Sequence, residues 1–262
     1  MNNTKQFQTE TTISRAVVLK TVLATMLMLV FYVQTWATTE PQAPGASMYV
    51  TAQSGLHLRT SPDVYATSLK VIDLGSEVTV VELADSLQAQ TIDWVSGHWV
   101  LVEHDGDQGY IFDGFLSTLR VPSYEWEKCQ LDLDMIYPLE QWADLNHLTM
   151  STDTAEGSFM TRVTDRYEGG NKLIKVNSGD IYKIELYLQD VRIMDAYHLL
   201  QNMLDDKARL RTFHNQSIFI EENDSSELQR IKVKLDNPVD IRKLKDGTVK
   251  ISIHSQEYPC QL

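Results

Sequence analysis

The chain has 262 residues, 43% of them hydrophobic, which is enough to bury one or two cores. Thirty-six acidic residues against 23 basic ones give a formal charge of −13. So acidic a balance repels phosphate backbones and anionic lipid, which argues against nucleic-acid and membrane-surface binding.

Residues 1–20 carry Lys5, Arg15 and Lys20 against Glu10, and the next 17, from Thr21 to Ala37, carry no charge. The most apolar part, Val22 to Val33, spans about 12 residues, closer to a secretory signal than to a membrane span of about 20. Thr35-Trp36-Ala37 puts small residues where a signal peptidase reads, so cleavage after Ala37 and a periplasmic or secreted location are expected. The alternative is an uncleaved N-terminal anchor. No Cys follows the apolar run, which argues against a lipid anchor. Losing three basic residues and one acidic one would take −13 to −15. Residues 38–47, TTEPQAPGAS, read as a flexible linker.

Strand-like runs follow at 69–74, 78–83, 99–102 and 109–112, parted by Gly75-Ser76, a polar stretch from 84 to 97, and Asp105-Gly106. Some five short strands with tight turns predict a small barrel over 48–119. Both ends of this stretch carry a recognisable pattern. Val50, Thr51 and Ala52, then Gly55, Leu56, Leu58, Arg59 and Pro62 open it, and Gly109-Tyr110-Ile111 with Phe115-Leu116 close it. In these residues the stretch resembles the bacterial SH3-like (SH3b) family, with His57 where the family usually has Asn.

The resemblance implies an SH3-like barrel with a habit of binding and names no ligand. A groove flanked by loops 58–69 and 84–98 is expected, with Tyr65, Trp94, Arg59 and Tyr110 as candidate ligand residues. Aromatic side chains suit sugars and peptide backbones because they offer large contact area for little lost rotamer freedom. The competing reading puts Tyr110, like Trp99, in the core. Asp63, Asp73, Glu77, Glu82, Asp85, Asp93, Glu103, Asp105, Asp107 and Asp113 face only Arg59 and Lys70, a local charge of −8. That surface favours basic peptides, or serves solubility alone.

The two cysteines, Cys129 and Cys260, bracket the rest of the chain and form a candidate disulfide closing a loop of about 130 residues. Within residues 122–262 strands are predicted at 159–164, 173–176, 182–188, 217–221, 229–235 and 248–253. Asp190 is the expected cap of a helix whose apolar face carries Ile193, Ala196 or Tyr197, Leu200, and Met203 or Leu204, and a short helix is expected near 139–148. The chain as a whole therefore reads as mainly β: a small SH3-like barrel, then an α+β domain with an antiparallel sheet and one main helix.

Catalytic patterns are missing: there is no G-x-S-x-G, H-E-x-x-H, phosphate loop or C-x-x-C. The seven histidines are scattered, Asp195 and His198 read as a surface pair, and Asp132 and Asp134 read as solvated, so no metal and no cofactor is expected. The expected function is that of an exported, non-enzymatic cell-envelope protein whose SH3-like domain binds a cell-wall peptide or a partner envelope protein. The alternatives are an assembly factor of an envelope complex, favoured by an unpaired sheet edge or apolar patch, and an uncharacterised enzyme in the C-terminal domain.

Overall fold

The computed structural model describes residues 44–83, 90–93, 95–122, 135–179, 181–204, 207–221 and 228–255. The signal segment, most of the linker, Trp94, Asp132, Asp134, Cys129 and Cys260 lie outside the described residues. Residues 41–262 belong to one compact unit. It is mainly β, with every strand pairing antiparallel.

The N-terminal lobe contains β1 (Ser47–Val50), β2 (Leu56–Arg59), β3 (Ser68–Ile72), β4 (Glu77–Leu83), β5 (Gln90–Ile92), β6 (Val95–Gly97), β7 (Trp99–His104), β8 (Asp107–Phe112) and β9 (Leu116–Ser117). Seven of these form one sheet in the order β3-β2-β8-β7-β4-β1-β9. The series is open: no pairing joins β3 to β9 among the described residues. Its inner face still buries Met48, Val50, Leu58, Ile72, Val100, Ile111 and Leu116 almost completely, all within one cluster drawn from this sheet. A flat sheet cannot do that, so the strands curl around their own side chains.

The β7–β8 turn follows from its residues. Asp105 and Gly106 both have positive φ, 53° and 83°, and His104 pairs with Asp107, the geometry of a two-residue hairpin. Gly109 answers a different need. A Cβ there would lie 2.7 Å from Leu58 Cγ and 2.9 Å from the Arg59 carbonyl oxygen, because β2 crosses close over β8. Gly109→Ala is expected to cost about 1–3 kcal/mol by overpacking, read as a lower urea midpoint at unchanged slope.

The C-terminal lobe contains α1 (Ile136–Asn146), β10 (Thr149–Glu156), β11 (Thr161–Tyr167), β12 (Lys172–Asn177), β13 (Tyr182–Leu188), α2 (Ile193–Gln201), α3 (Lys207–Asn215), β14 (Ser217–Glu221), β15 (Leu228–Val233), β16 (Val239–Lys243) and β17 (Val249–Ser255). Its eight strands run in the order β10-β11-β12-β13-β17-β16-β15-β14. One face packs Leu186, Ile251 and Ile241 against Leu139 and Trp142 of α1, Tyr197 and Leu200 of α2, and Phe213 of α3.

Three helices therefore stand where one main helix and a short one near 139–148 were expected: α1 overlaps the expected short helix, and α3 is additional. α3, KARLRTFHN, buries only Phe213 fully, so it shows no apolar stripe in the sequence. β10, TMSTDTAE, is exposed at all eight positions and has no alternation to read. β16 did carry a signal, the alternation of buried Val239 and Ile241 with Asp240 and Arg242.

The start of α2 also differs. Asp190 takes φ +56° in the preceding turn, and the helix begins at Arg192, whose backbone N–H donates to Asp195 Oδ2 at 3.0 Å.

Candidate functional site

Across β2 and β8, Arg59 pairs directly with Tyr110, so both side chains lie on the outer face of the N-terminal sheet. Arg59 Nη1 donates to the Ala66 carbonyl at 2.7 Å and pins the loop between β2 and β3. The same loop is held by Thr60 N–H donating to the Thr67 carbonyl at 3.0 Å and by Tyr65 N–H donating to Asp63 Oδ1 at 2.8 Å. On it Tyr65 is 94% exposed. The structure thus joins Arg59 and Tyr110 on one face and ties the Tyr65 loop to Arg59, while Trp94 lies outside the described residues.

Tyr110 is half-buried against a hydrophobic cluster of Trp99, Phe112 and Val95. Trp99 meets Phe112 edge-on at 5.9 Å, and its Nε1 donates to Gln90 Oε1 at 3.0 Å, which holds the β5–β6 hairpin over it. The cluster continues through Phe115, 5.9 Å from Phe112, to the His198 ring of α2, stacked on Phe115 at 6.2 Å. Of the candidate ligand residues, Tyr110 therefore leans on a cluster that Met194 of the second lobe also covers, in keeping with the competing reading of it as core.

The contact between the lobes is polar and charged at its centre. Arg192 Nη2 donates to Asp195 Oδ1 at 2.9 Å, to the Asp113 carbonyl at 3.3 Å and to the Leu116 carbonyl. Its Nη1 lies 3.7 Å from Asp113 Oδ2. Asp113 Oδ1 also accepts the His98 N–H at 2.6 Å, and Thr118 Oγ1 donates to Asp195 Oδ2 at 3.4 Å. Beside them Asn202 Nδ2 donates to the Thr51 carbonyl at 3.0 Å, and Thr51 Oγ1 lies 3.3 Å from His198 Nδ1.

Two readings from the sequence are corrected here. Asp195 and His198 are 0% and 3% exposed, so they are no surface pair, and Asp113 at 1% does not belong to the solvated acidic surface. The reason is that α2 is covered twice, by the sheet of its own lobe and by β9 and its neighbours from the other. Arg192 and Asp113 were not among the candidate residues. The only trace of them in the sequence is the Arg192-x-x-Asp195 spacing of a reciprocal cap.

Burial works against the Arg192 charge, yet Asp195 and Asp113 outweigh it and hold the guanidinium above its ordinary pKa. The Asp113 carboxylate, 3.9 Å from the ring's Nδ1, raises His98. Burial takes His198 the other way, down to about 4, leaving it neutral at pH 7. Among the described residues no three His, Cys, Asp or Glu side chains stand together as a metal would need, and no helix is long and apolar enough to cross a membrane.

Compared with protein-family models, curated proteins and solved structures, the chain has no match.

Proposed function

We propose that this is an exported, non-catalytic cell-envelope protein whose N-terminal lobe is an SH3-like domain that binds a peptide, from the cell wall or from a partner protein. The observation that carries the reading is the outer face where Arg59 opposes Tyr110 and pins the loop that presents Tyr65 at 94% exposure. An aromatic held on an ordered loop loses little entropy on binding and makes a natural anchor. The exposed carboxylate of Asp63 beside it suits a free amino group on the ligand.

The test is retention on insoluble peptidoglycan at low salt. Tyr65→Ala is expected to weaken retention by about 2 kcal/mol, roughly thirtyfold, as loss of an anchor aromatic does. Equal retention of wild type and variant would overturn the outer-face site. Absence of retention would leave the partner-protein form of the reading, to be followed by crosslinking in the envelope with the same variant.

One observation favours a second reading, an assembly role. β10 is an edge strand exposed along its whole length, and Leu145, Leu148, Met150, Phe159 and Met160 are exposed around it. An unpaired edge flanked by apolar side chains is a surface on which another chain adds as a strand.

A further inference from the structure

The helix-free face of the C-terminal sheet carries a charge opposite to that of the whole chain. In the pairing register, Arg166, Lys172, Tyr187, Lys250, Arg242 and Arg230 lie directly opposite one another on β11, β12, β13, β17, β16 and β15. Five cations and one tyrosine thus form a straight row across six adjacent strands, about 24 Å long at the usual 4.8 Å between strands. Arg162, Lys183 and Lys232 share the face, and its carboxylates are Asp153, Glu185 and Asp240. Among the described residues, eight cations against three carboxylates leave a formal +5 on one face of a chain that totals −13.

The carboxylates hold the cationic heads in place. Asp240 accepts from Arg230 Nε at 2.5 Å and Nη2 at 2.9 Å, and from Arg242 Nη2 at 3.3 Å. Glu185 lies 3.2 Å from Lys250 Nζ and 2.7 Å from Lys183 Nζ. Although burial opposes its charge, those two lysines hold Glu185 down at about 2, so it stays ionised. Tyr187 supports the lysines on either side, with Lys172 Nζ 4.1 Å and Lys250 Nζ 5.9 Å from its ring centroid.

We infer that this row is a track for a linear phosphate-bearing polymer laid across the strands. Charge complementarity selects an anion, and a straight repeat at right angles to the strands selects an extended one. A peptide adding to the sheet would run along the strands at an edge and would not meet this row. Single-stranded nucleic acid needs free aromatic faces for its bases, and the one aromatic ring in the row carries a lysine at 4.1 Å. The acidic total does not forbid the contact, because charges more than about 8–10 Å away are screened at physiological salt.

The experiment is a fluorescence-anisotropy titration of the full chain with end-labelled inorganic polyphosphate of about 60 units, at about 50 and about 200 mM salt. Neutralising five phosphates predicts affinity about a hundredfold weaker at the higher salt. Arg166→Gln with Lys172→Gln is expected to weaken binding at least about tenfold and flatten the salt dependence, while Lys70→Gln on the other lobe leaves both unchanged. Arg166→Glu alone, at a side chain 54% exposed, gives the same direction without risk to the fold. Failure to bind at the lower salt, or unaltered binding by the Arg166 and Lys172 variants, would overturn the track. So would equal binding of poly-glutamate, which would make the face a site for acidic proteins, or tighter binding of single-stranded DNA.

Discussion

Replacing Arg192 with Met is expected to lower the free energy of unfolding by about 3–5 kcal/mol, the largest loss from any single change at the contact between the lobes. The guanidinium has 17% of its side-chain surface exposed, while the carboxylates of Asp195 and Asp113 have 0% and 2%. Removing the cation leaves two buried carboxylates without the guanidinium between them, and it takes a donor from the carbonyls of Leu116 and Asp113, of which the latter keeps the Leu116 N–H. Met retains the length and the apolar stem, so the loss reports the charge and its hydrogen bonds rather than a cavity. The measurement is urea unfolding followed by tryptophan fluorescence. In wild type, residues 44–255 are expected to unfold in one transition, because the curled N-terminal sheet and α2 share this contact. In Arg192→Met the lobes are expected to part into two transitions. A loss below about 1 kcal/mol, the size of an exposed ion pair, would show that the contact is solvated and does not join the lobes.

Acidification is expected to loosen the same contact through His198. Its pKa in the fold is about 4, against 6.5 for an ordinary histidine, because burial between Thr51, Phe115 and Tyr197 opposes a charge that Asp195 only partly supports and Arg192 opposes. The unfolded chain therefore binds a proton more readily than the folded one. Stability is intact above about pH 6.5, falls as the pH drops toward 4 and levels off below that, with a total loss of about 3 kcal/mol from this one group. His198→Gln, which carries no titrating ring, is expected to remove that part of the pH dependence. Unfolding wild type and variant at about pH 7.5 and about pH 4.5 decides it: parallel losses in the two would mean that His198 is hydrated in the fold. His98 moves the other way, since the Asp113 carboxylate beside its ring raises its pKa, and its stabilisation is fully present below the unfolded value. The two effects oppose each other, so the variant and not the wild-type curve alone carries the test.

Much of the fold was legible because the inward-facing residues announce themselves. Leu58 and Val78 stand between polar neighbours, Val80, Val100, Val102 and Ile111 lie in β-branched and aromatic runs, and all six are at most 1% exposed, while Gly55, Gly75, Gly106 and Gly247 mark turns with positive φ. What escaped notice was polar. β10 and α3 are surface elements whose existence depends on the strands and helices they lean on, so their sequences carry no burial pattern. The candidate ligand residues divide the same way: Tyr65 stands out on its loop, Arg59 and Tyr110 share a face, and Tyr110 leans into a cluster that the other lobe partly covers.

The β character, the tight turns and the amphipathic α2 are written in short stretches of chain, because hydrophobic periodicity and turn chemistry act over a few neighbouring residues. Tertiary structure alone decided where charge went. Asp113, Arg192 and Asp195 are polar letters like any others until residues 76 to 79 positions apart in the chain meet around one guanidinium. Arg166, Lys172, Lys250, Arg242 and Arg230 are scattered over 85 positions until strand register aligns them. Net charge sums over the chain, whereas a binding surface is made by the few side chains that register brings within a Debye length of one another.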